Sequence, residues 1–241
     1  MENWQEDMLN MMVSMDGLDE LEVFQRIKKA AQALGFEYVA YGMRLPLPIT
    51  NPKIITLNSY SSSWQKRYAE ENYLSVDPAV HHGLRSCEPL VWSQEAFRLA
   101  PQLWDDAQAE GLNFGWSQSN LDTPGLIGML SLARSSEQIS AVELAKKETH
   151  MKWLAYMAHS ALSRVLIHNF NIKEAPQLTT RETEVLKWTA DGKSAEDISD
   201  LLKISVNTVN FHVKNSTLKL NASNKTSAVL RAAMFGLLHK S

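Results

Sequence analysis

The chain is poor in cysteine and has no long apolar run. Its 241 residues include a single cysteine, Cys87, which excludes an intramolecular disulfide and a metal site made of cysteines alone. No stretch approaches the roughly 18 uninterrupted apolar residues of a membrane-spanning helix. The first residues also lack the basic and then apolar pattern of a secretory signal. These absences predict a cytoplasmic protein with no membrane partner.

Acidic residues are missing from the last part of the chain. After Asp200 there is no Asp or Glu, whereas the basic residues there are Lys203, Lys214, Lys219, Lys225, Arg231 and Lys240. Residues 178–241 carry nine Lys or Arg against six Asp or Glu, although the whole chain has a formal net charge of -3. Such local positive charge indicates a polyanionic partner, because phosphate neutralisation and counterion release favour binding. A basic surface without any partner is the plainer alternative.

The segment 168–177 divides the chain. It is polar, contains Pro176 and keeps no apolar periodicity, which is typical of a linker. A chain of this length suits one large and one small domain. We therefore expect a first domain over 1–169, a linker over 170–177 and a second domain over 178–241.

Helical and strand patterns alternate in the first domain. They predict a helix over 21–34, strands over 36–43, 54–57 and 126–133, and a long helix over 140–167. Ser140 and Glu143 are spaced as a capping box, in which each side chain pairs with a free backbone N–H. Strands interleaved with helices predict an α/β/α sandwich.

The second domain has only helical patterns. Thr179 with Glu182 is spaced as another capping box, Ser194 and Ser205 are candidate N-caps, and a last helix starts at Ser223 or Asn224. The helices over 195–202 and 206–220 are separated by three residues, the turn length of a helix-turn-helix. The complete chain is thus expected to be α+β, a sandwich followed by a small all-α four-helix domain.

The second domain resembles that of LuxR-type regulators in the run LTTRETEVLKWTADGKS from Leu178 and in the segments 204–215 and 219–225. The resemblance implies binding to double-stranded DNA, with side chains near bases or phosphates. It places Asn210, Phe211 and Lys214 against bases and Thr208, His212 and Lys193 nearer to phosphates. Where relatives usually have Asn-Ile followed by two basic residues, this chain has Asn215-Ser-Thr-Leu218, which removes charge near the DNA backbone.

Domains of this type also follow phosphorylated receiver domains, but the first domain lacks their pattern. A receiver needs acidic residues at the end of an early apolar strand. Here the strand over 36–43 is followed by Arg44-Leu-Pro-Leu-Pro48. The receiver interpretation is set aside.

Aromatic and acidic residues over 60–116 are candidates for a ligand site. Trp64 and Tyr68 are four residues apart and share a helix face, with Tyr60 just before that helix. Trp and Tyr combine an apolar ring with one hydrogen-bonding group, which suits a small-molecule pocket. Two plainer interpretations stand beside this one: the aromatic residues form ordinary core, and Asp77 before Pro78 is an N-cap.

In order and spacing, Trp64, Tyr68, Asp77, Pro78, Trp92 and Gly115 are similar to the autoinducer-binding domain of LuxR-type receptors, which bind N-acyl-homoserine lactones. The resemblance implies that Trp64 donates to the lactone carbonyl and that Asp77 accepts from the amide N–H. It implies further contacts of three kinds. The amide carbonyl would be held by Tyr60 and Ser131, the lactone ring would pack on Trp92, Leu103 and Trp104, and the acyl chain would lie near Tyr68 and Ala40.

Other chemistry has little support in the sequence. Adjacent His81 and His82 point in different directions on a helix and have no evident third metal ligand. Cys87 is expected to be a lone buried thiol. There is no nucleophile–base pair, phosphate loop or metal spacing, so we expect neither an enzyme nor a cofactor.

The patterns together predict a transcription factor that binds an N-acyl-homoserine lactone. It is expected to bind a near-palindromic promoter site as a homodimer and to act with RNA polymerase, with the helix over 140–167 in the dimer contact. Two alternatives remain. One is an orphan regulator that answers a non-lactone ligand, and the other is an antagonist that forms mixed dimers with related regulators.

Overall fold

The computed structural model describes residues 17–122, 126–169 and 176–238, and the chain separates into two compact units. The first unit contains a five-stranded sheet and helices on both of its faces. Its helices are α1 (Glu20–Ala33), α2 (Ser62–Glu70), a short 3-10 helix (Tyr73–Ser75), α3 (Pro78–Gly83), α4 (Pro101–Ala109) and α5 (Ala141–Asn169). Its strands are β1 (Tyr38–Arg44), β2 (Ile54–Asn58), β3 (Leu90–Val91), β4 (Phe114–Asp122) and β5 (Leu126–Arg134).

The strands lie in the order β2-β1-β5-β4-β3. Strand β1 pairs antiparallel with both β2 and β5, and β3 pairs antiparallel with β4. Helices α1 and α5 pack together and against β1 and β5, and α2, α3 and α4 contribute to a separate core on the opposite face. The predicted α+β class and α/β/α sandwich are therefore confirmed.

Alternation along β1 and β5 sends side chains to the two faces of the sheet. Val39, Tyr41 and Met43 are fully buried, and a Cβ built on Gly128, which pairs with Met43, would meet His159 of α5. The intervening Ala40 pairs with Ser131 and points to the face covered by α2, α3 and α4. This second face is the one that carries the candidate ligand site.

Strand β4 and helix α4 were not among the elements expected from the sequence. Strand β4 has serines at 117 and 119 on one face and Gln118 and Asn120 on the other, so it shows no apolar alternation. Both faces are nevertheless covered, and Ser117, Ser119 and Trp116 are almost completely buried. Packing of helices over both faces of the sheet, a tertiary effect, makes this segment a strand.

Of the two side-chain contacts predicted for the capping box at the start of α5, the one made by Ser140 is present and the one assigned to Glu143 is wrong. Ser140 accepts the backbone N–H of Glu143 at 3.1 Å, as expected for an N-cap. The carboxylate of Glu143 instead receives two hydrogen bonds from Arg134, at 3.0 and 2.6 Å, and one from Lys147 at 2.8 Å. A bidentate guanidinium is a stronger partner than a single backbone N–H. The carboxylate thus joins the end of β5 to α5.

The second unit consists of α6 (Thr180–Ala190), α7 (Ala195–Leu202), α8 (Val206–Lys219) and α9 (Lys225–Met234). The capping box of Thr179 and Glu182, the caps at Ser194 and Ser205, and the start at Asn224 are confirmed. Two small apolar clusters hold the helices together, one centred on Leu186 and Leu220 and one on Ile198 and Val209. The predicted four-helix domain is present.

Two expectations fall partly or wholly outside the described residues. The predicted linker 170–177 is described only from Pro176, and the segment Pro124-Gly125, whose Pro-Gly pair predicts a turn before the strand over 126–133, is not described. The exact domain boundaries remain a prediction.

The Arg134–Glu143 pair predicts an acid-sensitive contribution to stability. Hydrogen bonds from Arg134 and Lys147 lower the pKa of Glu143 from 4.5 to about 2. Because the folded pKa lies below the unfolded one, the stabilisation is complete above pH 4.5 and is lost as the pH falls towards 2. Replacing Glu143 with Gln should therefore cost about 3 kcal/mol of unfolding free energy at pH 7, and much less near pH 2.

Denaturant unfolding of the wild type and E143Q between pH 2.5 and 7 measures this difference. The matched control is E148Q on the same helix, since Glu148 makes only a 3.8 Å pair with Lys152 at the surface. A cost for E143Q that equals that of E148Q, or that does not change with pH, would contradict the assignment.

Candidate ligand site and nucleic-acid interface

An aromatic cluster lies between the sheet and the helices α2, α3 and α4. Its buried members include Trp64, Tyr73, Phe97 and Leu103. Partly buried side chains pack around them, namely Tyr38, Tyr60, Tyr68, Leu90, Trp92, Ala96 and Trp104. The structure thus brings most of the predicted ligand-binding residues together on one face of the sheet.

Helix α2 presents Trp64 and Tyr68 on one face, as expected from their spacing. Ser61 caps the helix by accepting the N–H of Trp64 at 3.1 Å, which places the indole in the first turn. The rings of Trp64 and Tyr68 meet edge to face at 5.7 Å, and Tyr73 lies 6.0 Å from Trp64. Within the described part of the chain, the indole N–H of Trp64 donates to no residue, so its hydrogen-bonding capacity remains available.

Asp77 has two structural partners at the start of α3. One carboxylate oxygen accepts the N–H of Ala79 at 2.8 Å, which confirms the N-cap interpretation, and the other accepts the hydroxyl of Tyr68 at 2.8 Å. Burial raises the pKa of Asp77, although both of these donors act in the opposite direction. The backbone N–H of Val80 is a third donor to this carboxylate, and a carboxylate has about four lone-pair sites, so capping the helix and accepting a ligand N–H are compatible.

Tyr60 approaches the same carboxylate from the loop before α2. Burial raises the pKa of its phenol, and the negative charge of Asp77 adds to the effect. Burial and then Asp77 likewise raise the pKa of Tyr68. Both phenols are therefore neutral hydrogen-bond donors at physiological pH.

Trp92 is held in place from two sides. Its indole N–H donates to the hydroxyl of Ser117 at 2.9 Å, and that hydroxyl lies 2.7 Å from the hydroxyl of Ser131. A Cβ built on Gly115 would come within 2.2 Å of the Trp92 ring. Glycine at 115 therefore allows the indole to lie directly on the backbone of β4.

The remaining predicted ligand residues lie on helix α4 and on strand β1. Leu103 is buried in α4, Trp104 lies 5.1 Å from Phe97, and Ala40 faces the cluster from β1. Phe97 and Trp104 also line a cleft of about 540 Å³. Phe97 and Tyr73 were not predicted, because isolated aromatic residues outside a helical repeat carry no positional signal.

Asp106 of α4 ties the helices over the cluster to one another. Its carboxylate accepts hydrogen bonds from Arg67 at 2.5 Å, from Gln102 at 3.0 Å and from the hydroxyl of Tyr73. The bond from Tyr73, followed by that from Arg67, lowers the pKa of Asp106. No local sequence pattern indicates this contact, since Arg67 and Asp106 are far apart in the chain.

His81, His82 and Cys87 are not members of the aromatic cluster. His81 and His82 contact different backbone carbonyls, those of Ser75 at 2.9 Å and Glu88 at 2.7 Å. No group of three metal-binding side chains occurs in the described ranges. Cys87 is exposed, so the expectation of a buried thiol is wrong. It lies in the loop between α3 and β3, where neither element covers it.

The helix-turn-helix has the predicted elements and turn. Lys203 ends α7 in a left-handed conformation, with a φ of 53°, and Ser205 begins α8. The hydroxyl of Ser199 donates to the carbonyl of Ile204 at 2.6 Å, which closes the turn. Ile204 also packs against the cluster around Ile198 and Val209.

Helix α8 presents one exposed polar stripe. Asn210 and Lys214 are exposed, and Phe211 has an exposed fraction of 59%. Thr208 and His212 are half-buried at its edge, and the Thr208 hydroxyl lies 2.8 Å from that of Ser205. Lys193 is exposed before α7. Leu218 has an exposed fraction of 69%.

Not all of the basic residues of this unit are available to a polyanion. Lys219 donates to the buried carboxylate of Glu182 at 2.7 Å, so it joins the end of α8 to the start of α6. Arg231 donates to the carbonyl of Leu220 at 3.3 Å, and Lys240 lies outside the described residues. Pairing with Glu182 therefore reduces the positive charge that Lys219 can offer to a polyanion.

Two family models match the chain. Residues 19–162 match the autoinducer binding domain, and residues 176–232 match the bacterial regulatory proteins of the luxR family. Among the described residues, no helix is long and apolar enough to cross a membrane.

Relatives and solved structures are similar to the chain over almost its whole length. The chain is 45% identical to the transcriptional activator protein AnoR of Acinetobacter nosocomialis, over 99% of this chain and 100% of that protein. A crystal structure of Escherichia coli SdiA has a TM-score of 0.82 and 34% identity and covers 98% of both chains. The structure of SdiA in complex with octanoyl-rac-glycerol has a TM-score of 0.78 and 32% identity, over 96% of this chain and 95% of that chain.

The contact between Gly115 and Trp92 predicts a stability effect. Replacing Gly115 with Ala would force the indole away from β4, and overpacking of this kind costs about 1–3 kcal/mol. We expect the melting temperature to fall by several degrees. The matched control is G42A, because a Cβ at this other strand glycine has no heavy atom within 4 Å. Equal melting temperatures for G115A and G42A would show that Trp92 is not held in this way.

Proposed function

The chain belongs to the LuxR family of quorum-sensing transcription regulators, and on this premise we propose that it binds an N-acyl-homoserine lactone. The single observation that carries the proposal is the arrangement around Asp77. A half-buried carboxylate, a neutral phenol and an indole N–H that donates to no described residue lie close together in an otherwise aromatic cluster. This combination offers one acceptor and several donors.

The polar groups suit the polar atoms of such a ligand. Asp77 would accept the amide N–H, and Trp64 would donate to the lactone carbonyl. Tyr60 and Ser131 would donate to the amide carbonyl. Each buried polar atom of the ligand would then have a partner, which offsets the cost of removing it from water.

The apolar groups suit the rest of the ligand. Trp92, Leu103 and Trp104 would pack around the lactone ring, and Tyr68 and Ala40 would lie along the acyl chain. Burial of an alkyl chain contributes about 0.8 kcal/mol for each CH₂ group. Affinity should therefore increase with chain length until the space between the helices and the sheet is filled.

A non-lactone ligand is the second candidate. One of the similar solved structures is a complex of SdiA with octanoyl-rac-glycerol, an acyl ester that has no amide N–H. The hydroxyl groups of such an ester can donate to a carboxylate, so Asp77 could also recognise a ligand of this kind. Competition between an acyl-homoserine lactone and octanoyl-rac-glycerol for the full chain would decide which class binds more tightly.

We further propose that the protein acts in the cytoplasm as a homodimer on a near-palindromic promoter site. Two copies of α8 would enter successive major grooves, with Asn210, Phe211 and Lys214 at base edges. Thr208, His212 and Lys193 would lie nearer to phosphates. Helix α5 is our candidate for part of the dimer contact, and RNA polymerase is the expected partner at the promoter.

Ligand binding would couple to DNA binding through stability. A ligand at a hundredfold excess over its Kd stabilises the folded state by roughly 2.7 kcal/mol. That amount can convert a marginally stable sensor unit into a soluble dimer.

Replacing Asp77 with Asn tests the ligand proposal. Asn is an equally good N-cap, but its amide nitrogen cannot accept the hydroxyl proton of Tyr68, so the free protein should stay folded with a melting temperature lowered by a few degrees. Loss of the charged acceptor should weaken lactone binding by about 10- to 100-fold, measured by titration calorimetry. D105N, which makes the same change at an exposed position of α4, is the control. Unchanged affinity in D77N would refute the assignment.

Two lysine variants test the DNA assignment. K214A should lose affinity for a selected operator more than for random DNA, because it removes a base contact. K193A should weaken both duplexes alike and reduce the salt slope by about one. Fluorescence anisotropy over a range of salt concentrations measures both effects. Equal losses on both duplexes for both variants would contradict this division of roles.

A further inference from the structure

Two large apolar side chains lie exposed on α8, the second helix of the helix-turn-helix. Phe211 has an exposed fraction of 59% and Leu218 one of 69%. The two residues are seven apart, so they lie on the same side of the helix, roughly 10 Å from each other along its axis. A partner that covered both would remove a substantial apolar surface from water, which favours binding.

Both side chains belong to the exposed stripe of α8. At about 100° per residue, the stripe occupies an arc of about 100° around the helix. Its exposed members are Asn207, Asn210, Phe211, Lys214 and Leu218. Seen down the helix axis, Leu218 lies between Asn207 and Phe211. A duplex that contacts Asn210 and Lys214 would therefore meet Leu218 on the same side of the helix.

Polar groups near Leu218 already have partners within the protein. The hydroxyls of Ser216 and Thr217 donate to carbonyls one turn earlier in the same helix, at 2.8 and 2.7 Å. The ammonium of Lys219 donates to a buried carboxylate of α6 at 2.7 Å. The two hydroxyl protons are thus not available to a phosphate, and the charge of Lys219 is partly neutralised. This end of the stripe is therefore apolar.

The major groove of B-DNA presents one apolar group on its base edges, the C5-methyl group of thymine. The other groups there are hydrogen-bond donors and acceptors. A phenyl ring or a leucine placed over them would remove them from water without pairing them, which is costly. An apolar side chain in the stripe thus favours thymine over the other bases.

We propose that Phe211 and Leu218 recognise thymine methyl groups, so that each promoter half-site carries a thymine at the two positions that these side chains face. This inference rests on the proposed binding to a promoter site and deepens it, because it states which base the apolar part of the stripe reads. Asn210 and Lys214 would read the polar base edges beside these thymines.

Deoxyuridine, which lacks only the methyl group of thymine, tests this proposal. A binding site is first selected from a pool of random duplexes with the full chain, with and without acyl-homoserine lactones of four to fourteen carbons. Each thymine of a half-site is then replaced by deoxyuridine in turn, and Kd is measured by fluorescence anisotropy. Loss of one buried methyl group should weaken binding of the wild type about fourfold at each of two thymines.

Three variants assign the methyl groups to side chains. In L218A one of the two deoxyuridine substitutions should change Kd by less than about 1.5-fold, and in F211A the other should, because the contact is already absent. The control is L201A, since Leu201 is exposed on α7, outside the stripe, and this variant should keep both fourfold effects. Melting curves check that each variant is folded.

A selected site without thymine, or a wild type whose Kd changes with no deoxyuridine substitution, would overturn the proposal without recourse to any variant. Effects that persist unchanged in L218A would overturn the assignment of Leu218, and a protein partner would then be the candidate to cover it. The same outcome in F211A would overturn the assignment of Phe211. A full chain that selects no site would instead contradict the proposed promoter binding, and the thymine contacts with it.

Discussion

The half-buried carboxylate of Asp77 is the group on which the rest of the candidate ligand site in the first unit depends. Its desolvation is offset by the N–H of Ala79 and the hydroxyl of Tyr68, so α3 and α2 are positioned by the same side chain. Burial, and after it the charge of Asp77, keeps the neighbouring phenols neutral by raising their pKa. Proteins rarely bury a charge without fully satisfying it, and here a lone pair remains for a ligand N–H. In the proposed function, this one residue would serve both as a helix cap and as the acceptor of the ligand N–H.

Much of the fold and of the site could be predicted from the sequence, and the misses have physical causes. The caps at Thr179, Ser194 and Ser205 act within one turn, so their spacing was sufficient. Strand β4 was missed because tertiary burial overrides its polar pattern. Glu143 was assigned to a local capping box, but the more distant Arg134 is the stronger partner. Hydrogen-bonded pairs between separate strands, such as Ser117 with Ser131, depend on register, which no local pattern reveals.

In the second unit, fewer basic side chains are free of an acidic partner than the count of Lys and Arg residues indicates. Lys219 stabilises the buried Glu182 and Leu218 offers no charge, so the exposed stripe of α8 relies on amides, one aromatic ring and Lys214. Contacts of this kind read base edges, whereas phosphate contacts supply sequence-independent affinity.

Recognition of an acyl-homoserine lactone at Asp77 can be tested by a thermal melt of the full chain, alone and with lactones of four to fourteen carbons. Specific binding to the folded state must raise the melting temperature. We predict a rise of several degrees with a subset of chain lengths. A folded protein whose melting temperature does not change with any of them would contradict the claim that the site around Asp77 recognises this class of ligand.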